Sequence, residues 1–285
     1  VWADSPLLSG AVTQALKQRF VASHDFKLGG LLGDQKIIDR DATEYALLLA
    51  AQGDRQAAAM ARNDLAGARQ LADPVWGGIY QYSTHGDWAH PHYEKLAQIQ
   101  ADYLRMFALG YAAFRDPADL ATMRQLHAYL RGFLLSPDGA FYTSQDADVK
   151  PGEKATRYFK LSDQARRREG IPRVDRHIYA RENGLIATAL VAAYLATDDR
   201  DMLDDARQAV GFIMKHRGIP GGGYSHDEQD VAGPYLADNL AMLRAFLALH
   251  GATGERVWLR QAMDTARFIE GHFTRDDAPG YLGAP

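Results

Sequence analysis

The sequence contains no cysteine. Disulfides, thiolate metal sites and thiol nucleophiles are therefore excluded for this chain. That absence does not choose between cytoplasm and periplasm for what reads as a soluble protein. Long apolar runs are also missing: YALLLAA at 45–51 is the longest in the first half, far short of the roughly 20 residues that cross a bilayer. No basic stripe is present, and the net charge is −4. The one basic cluster, QARRREG at 164–170, reads as a solvated helix face, so nucleic acid is not an expected partner. The opening VWADSPLLSGAV lacks both an initiator Met and the basic-then-apolar order of a signal peptide, and it reads as a fragment or processed form. What is present is an ordinary globular balance of 47% hydrophobic and 24% charged residues over 285 positions, enough chain to bury a proper core.

Helical periodicity dominates. SGAVTQALKQRFVAS (9–23) opens on a Ser cap, and DATEYALLLAAQG (41–53) opens on Asp41 with Glu44 three residues later, a capping-box spacing. The segment 54–72 follows at once. Further helix pairs are expected at 93–114 with 117–135, at 182–197 with 199–217, and at 235–250 with 254–273. Strand-like runs are few and short.

The joints between pairs repeat. LGGLLG (28–33), WGGIYQYS (76–83), DGAFYTS (138–144), GGGYSHD (221–227) and PGYLG (279–283) each follow the second helix of a pair and place glycine before aliphatic or aromatic residues. Glycine lets the backbone turn at positive φ after a helix. Recurrence near 50–60 residues is the pattern of stacked helix hairpins, none of which buries both faces alone. The expected fold is all-α, an (α/α) toroid of helical hairpins over 1–285 as a single domain, with the joints collected at one mouth.

Several stretches resemble a known family, the spermatogenesis-associated thioredoxin-like proteins and their bacterial relatives. These join a thioredoxin-like domain to a six-hairpin glycosidase-like toroid. The stretches are LGGLLGDQK (28–36), GGIYQYSTHGDWAHPHYEK (77–95), GAFYTSQDAD (139–148), ENGLIATAL (182–190) and YLADNLAMLRAFLALHGATGE (235–255). The resemblance covers nearly the whole chain and implies a toroid without the thioredoxin-like domain, lacking about one hairpin after Pro285. Departures from the family pattern are Asp34 and Gln35 before Lys36, Ile99 and Gln100 after the Glu-Lys pair, and Glu182 where the family has Trp. A thioredoxin-like domain or protein is an implied partner.

Candidate chemistry collects at the joints. Acid/base candidates are Asp87, His92, Glu94, Asp146, Asp148 and Asp238. Paired carboxylates serve glycoside hydrolysis, Asp146 and Asp148 share one side of an extended loop, and His titrates near neutrality. His92, Glu94 and Lys95 are expected where a helix begins, with Glu94 stabilised by its dipole. Ligand-contact candidates are Lys36, Trp76, Tyr80, Tyr82, Trp88, His90, Lys95, Tyr142, Asn183 and Tyr224, because aromatic faces with polar neighbours suit sugar rings. His85, Asp87, His90 and His92 fit no established zinc spacing, so no metal and no cofactor is expected. Three functional readings stand: a glycosidase-like toroid binding or processing a carbohydrate-like small molecule, a non-catalytic scaffold for a thioredoxin-like module, and a sugar 2-epimerase-like isomerase. The last would need two His on opposite walls, with His177 or His226 opposite His90 or His92.

Overall fold

A computed structural model describes residues 9–150, 152, 155–229, 233–275 and 277–284, so most of the opening segment lies outside the described residues. The chain divides into two compact units, Val1–Leu71 with Tyr82–Pro91, and Ala72–Gln81 with His92–Pro285. The first contains α1 (Gly10–Ala22), α2 (Arg40–Ala51) and α3 (Arg55–Ala68). Ser9 caps α1 as its sequence indicates, accepting from Val12 N. The cap of α2 is Asp39, which accepts from Ala42 N. Asp41 lies inside the first turn, where it complements the helix dipole instead of capping, so the cap stands two residues earlier than expected and, with Ala42 as the third helical residue, the expected capping box does not form.

The second unit is built from α4 (Ala97–Phe114), α5 (Pro117–Tyr129), the short α6 (Ala155–Phe159) and α7 (Asp163–Glu169), and then α8 (Ala180–Thr197), α9 (Arg200–His216), α10 (Leu236–Thr253) and α11 (Arg256–Phe273). Helices α4, α8 and α10 pack side by side. They bury residues such as Tyr103, Phe107, Ile186, Leu190, Met242 and Phe246 completely. Gly184 makes the closest approach possible, since a Cβ there would sit 2.7 Å from the Ala241 carbonyl carbon. Helices α5 and α9 are capped by their own aspartates, Asp116 and Asp199. By contrast α4, α8 and α10 start from Leu96, Tyr179 and Tyr235 with no side-chain cap of their own.

A buried amide one turn into each of these three helices fastens the preceding Gly-rich corner. Gln100 bonds both N–H and C=O of Ile79 (2.7 and 2.8 Å). Asn183 does so with Phe141 (2.7 and 3.0 Å), and Asn239 with Tyr224 (2.8 and 3.3 Å). Each amide also donates to the carbonyl four residues back, at Leu96, Tyr179 or Tyr235. The side chain thus replaces a rung of backbone pairing for groups that would otherwise be buried unpaired. The corners themselves need glycine: Gly77 and Gly78 have φ of 70° and 73°, and a Cβ on Gly78 would lie 2.6 Å from the Tyr129 ring.

Short strands complete this end. Lys95–Leu96 pairs with Ser144–Gln145, which pairs with Val174–Asp175. Ala180 N at the start of α8 bonds to His226 O, and Leu236 N at the start of α10 bonds to Gly283 O. Within the second unit, therefore, the Gly corners gather at the N-terminal ends of α4, α8 and α10.

Candidate functional site

Helix α4 begins at Ala97, so His92, Glu94 and Lys95 precede it, and the expected dipole stabilisation of Glu94 does not apply. Lys95 is fully buried. Its ammonium donates to Asp73 Oδ2 (2.7 Å) and Gly77 O (2.8 Å). Arg166 reaches the same Asp73 oxygen at 2.7 Å and donates to Phe159 O. Burial alone would raise the Asp73 pKa, but the Lys95 charge and the hydrogen bonds from Arg166 and Lys95 outweigh it and hold the carboxyl below its usual range. Burial pushes Lys95 down to about 8 against the opposing pull of Asp73, so both partners are ionised at neutral pH. Trp76, Tyr80, Tyr158 and Phe159 pack around these charges. Trp76 Nε1 donates to Asp163. Lys95, Trp76 and Tyr80 are thus occupied by one another's chemistry inside the unit.

The first unit has its own version. Lys36 is buried and donates to Asp25 Oδ2 (2.7 Å), Gly29 O and Leu31 O. Trp88 is buried, donates to Leu28 O, and lies against Gly30 and Gly67. Tyr82 is half-buried, and Asp87 bonds the exposed His90 at 2.9 Å.

In the second unit, Glu94, Gln145, Asp146, Arg173 and Asp175 line a cavity of about 220 Å³. Glu94 Oε2 and Gln145 Nε2 are buried without a hydrogen-bond partner. Asp146 is exposed and its Oδ1 accepts from Ala147 N, whereas Asp148 is half-buried on the same loop. His92 is exposed, Tyr142 is half-buried, and Asn183 and Tyr224 are buried in the corner fastenings described above.

Two carboxylate–imidazole pairs meet at Tyr179, and Asp175 of the first also lines the cavity. Asp175 Oδ1 meets His177 Nδ1 at 2.5 Å, and Asp238 Oδ1 meets His226 Nδ1 at 3.0 Å. Both imidazoles stack on Tyr179, at centroid distances of 5.7 and 4.0 Å. Asp238 also accepts from Arg181 N, supplying the first turn of α8 with the cap it lacks. The hydrogen bond to Asp175 raises the His177 pKa above its ordinary value. Glu182, in the first turn of α8, is 8% exposed. Burial raises its pKa, only partly offset by Arg181, and its Oε2 has no hydrogen-bond partner. Asp227 is 3.4 Å from the Arg217 guanidinium. Asp175, His177, His226 and Glu182 were not among the leading sequence candidates. The pairing of Asp175 with His177 is visible as DRH, but the approach of residue 226 to residue 238 is a tertiary fact. Among the described residues no group of three or more His, Asp or Glu side chains is arranged to hold a metal ion, and no helix is long and apolar enough to cross a membrane.

No family model matches the chain. It is 24% identical over 183 residues to spermatogenesis-associated protein 20 of Rattus norvegicus, a match covering 64% of this chain and 20% of that protein. The chain thus spans about a fifth of that relative's length. Among solved structures, a GH76 alpha-mannanase of Bacteroides thetaiotaomicron superposes with TM-score 0.67 at 15% identity, covering 96% of this chain and 72% of the other. Cellobiose 2-epimerase from Bacillus thermoamylovorans gives TM-score 0.67 at 12% identity, over 94% and 74%. The chain has the helical-hairpin fold of the six-hairpin glycosidase-like toroids, and part of it is similar in sequence to the spermatogenesis-associated protein.

Proposed function

We propose that the chain binds a carbohydrate-like small molecule at the corner end of its second unit and moves protons on it, as an isomerase does beside a carbonyl. The observation that carries this reading is the pair of carboxylate-oriented imidazoles, His177 and His226, both stacked on Tyr179. A carboxylate on Nδ1 sets the tautomer and makes Nε2 the nitrogen that takes or gives a proton. One imidazole removes the proton from the carbon next to the carbonyl, and the carbonyl oxygen takes up the electron pair as an enediolate. The other imidazole returns a proton to that carbon, so no oxidant or reductant is consumed. The lone buried Glu94 oxygen wants a donor and the Gln145 amide wants an acceptor, and sugar hydroxyls supply both. At about 220 Å³ the cavity is smaller than the roughly 300–1,000 Å³ of drug-sized sites, which suits one ring of a sugar.

Glu182 favours a second reading. A buried carboxyl with a raised pKa is the form that protonates a leaving oxygen in glycoside hydrolysis. The two are separated by incubating the protein in D₂O with reducing aldoses, ketoses and disaccharides and following products by NMR. Isomerase chemistry places deuterium at the carbon beside the carbonyl, and this is lost in His177→Asn and His226→Asn. Hydrolysis instead cleaves the disaccharide and depends on Glu182. If neither deuterium uptake nor cleavage occurs with any sugar, the enzyme reading fails and the scaffold reading stands.

A further inference from the structure

A second cavity of the same unit, about 560 Å³, is lined by Gly132, Phe133, Arg167, Ile171, Pro172, Arg173, Val174 and Arg176. It carries three guanidinium groups and no acidic lining residue. Arg173 lines this cavity and also the Glu94–Asp146–Asp175 cavity. The three arginines differ in what already holds them. Arg167 is paired with Asp163 at 2.8 Å. Arg176 lies 6.0 Å from the Tyr142 ring centroid. Among the described residues, neither Arg173 nor Arg176 forms an ion pair, although Asp175 and Asp146 line the adjoining cavity with Arg173. Asp175 Oδ1 instead accepts from His177 Nδ1, and the Arg173 charge acts on it without forming an ion pair.

We infer that this cavity binds the anionic group of the ligand, so that the substrate class is an acidic saccharide, carboxylated or phosphorylated, and not a neutral one. The inference rests on the reading of the adjoining cavity as a sugar site. Among the described residues, only Arg167 of the three guanidinium groups is ion-paired, and an anion held among them relieves their mutual repulsion. Their planar fork matches the oxygens of carboxylate and phosphate. Phe133, Ile171, Pro172 and Val174 give the same cavity apolar walls, against which the C–H face of a sugar ring packs. Because Arg173 is common to both cavities, an anionic group held there leaves the rest of the ring beside Glu94 and the Asp175–His177 pair. Sequence alone assigned the neighbouring basic run 164–170 to a solvated face. The inferred site takes only Arg167 from that run, whereas Arg166 is buried on Asp73.

The test is isothermal titration with glucose, glucuronate, glucose 6-phosphate and inorganic phosphate, on the wild-type chain and on Arg173→Gln and Arg176→Gln. The expected result is that glucuronate or glucose 6-phosphate binds at least tenfold more tightly than glucose. Each substitution is expected to weaken that binding roughly tenfold or more, and Arg176→Gln, at a residue that does not line the sugar cavity, is expected to leave glucose binding unchanged, with the preference falling as salt is raised. Glucose binding as tightly as the acidic sugars, or both variants binding them like wild type, overturns the inference while leaving the sugar site in place. Phosphate binding that depends on Arg173 and Arg176, without binding of any sugar, keeps the anion site and removes the sugar reading. No binding of any of the four removes both. Circular dichroism of the variants shows whether a loss reflects misfolding, and Arg176→Lys, which keeps the charge but loses the planar fork, is expected to retain part of the preference and exceed Arg176→Gln.

Discussion

Replacing Asp73 with Asn removes one negative charge from the centre of the second unit without changing its shape. Asp73 is 0% exposed and its Oδ2 receives both Lys95 Nζ and Arg166 Nη1 at 2.7 Å. The variant leaves two buried cations facing each other. Breaking a buried pair from one side costs about 3–5 kcal/mol, because a charge is left uncompensated. With a urea m-value near the upper end of the usual range, about 3 kcal/mol per molar, the midpoint should fall by roughly 1–2 M. Lys95→Met should cost less than Asp73→Asn, since Asp73 keeps Arg166 and the substituted chain still packs on Tyr80 and Tyr129. The double variant should be at least about 1 kcal/mol more stable than the sum of the single effects, because the two sites share one interaction. The measurement is equilibrium urea unfolding followed by circular dichroism. A midpoint shift below about 0.3 M for Asp73→Asn, which at that m-value is under about 1 kcal/mol, would refute the assignment of Asp73 as the anchor of this unit, as would strict additivity.

Other outcomes follow from the same geometry. The folded pKa of Asp73 is lowered, so its contribution is fully present above the unfolded value near 4 and is lost as pH falls through the lower folded value; acid titration of wild type against Asp73→Asn should show that component only in wild type. Asn183→Ala leaves the N–H and C=O of Phe141 buried and unpaired; at about 1–3 kcal/mol for each group, thermal unfolding should show one of the larger losses among single polar variants. Asp175→Asn should move the His177 pKa down toward its ordinary value, because the carboxylate hydrogen bond is the largest cause of its elevation; proton NMR titration of the imidazole reads this directly, and an unchanged midpoint would dissociate the pair. Gly184→Ala places a methyl within 2.7 Å of the Ala241 backbone, so α8 and α10 must part, and a loss of about 1–3 kcal/mol is expected in chemical denaturation.

Much of the helical plan was legible because α3, α5 and α9 carry apolar residues at helical spacing and begin on Asp caps, with Pro117 at the start of α5. The Gly corners were legible for a stronger reason: doubled glycine with two positive φ values tolerates few substitutes. The amide fastenings went unread although their signal was there, in Leu96 with Gln100, Tyr179 with Asn183 and Tyr235 with Asn239, each pair four apart. Gln100 in particular counted only as a departure from the family pattern. The candidate site was less legible. Its aromatic and cationic residues at 76, 80 and 95 resemble ligand contacts in composition, and only tertiary packing reveals that Asp73 and Arg166 surround them. Glu182 likewise counted as a departure, whereas burial gives its carboxyl a raised pKa beside the His226–Asp238 pair.

The amide fastenings also bear on how such chains change length. Phe141 follows α5 but is held by Asn183 of α8, and Tyr224 follows α9 but is held by Asn239 of α10. Each latch therefore spans two successive hairpins and never closes within one. Excising or duplicating a stretch from one amide to the next carries one latch and one catch together, leaving the seams on both sides matched. Variation by whole hairpins is tolerated on this logic, while a cut inside one strands a catch without its latch.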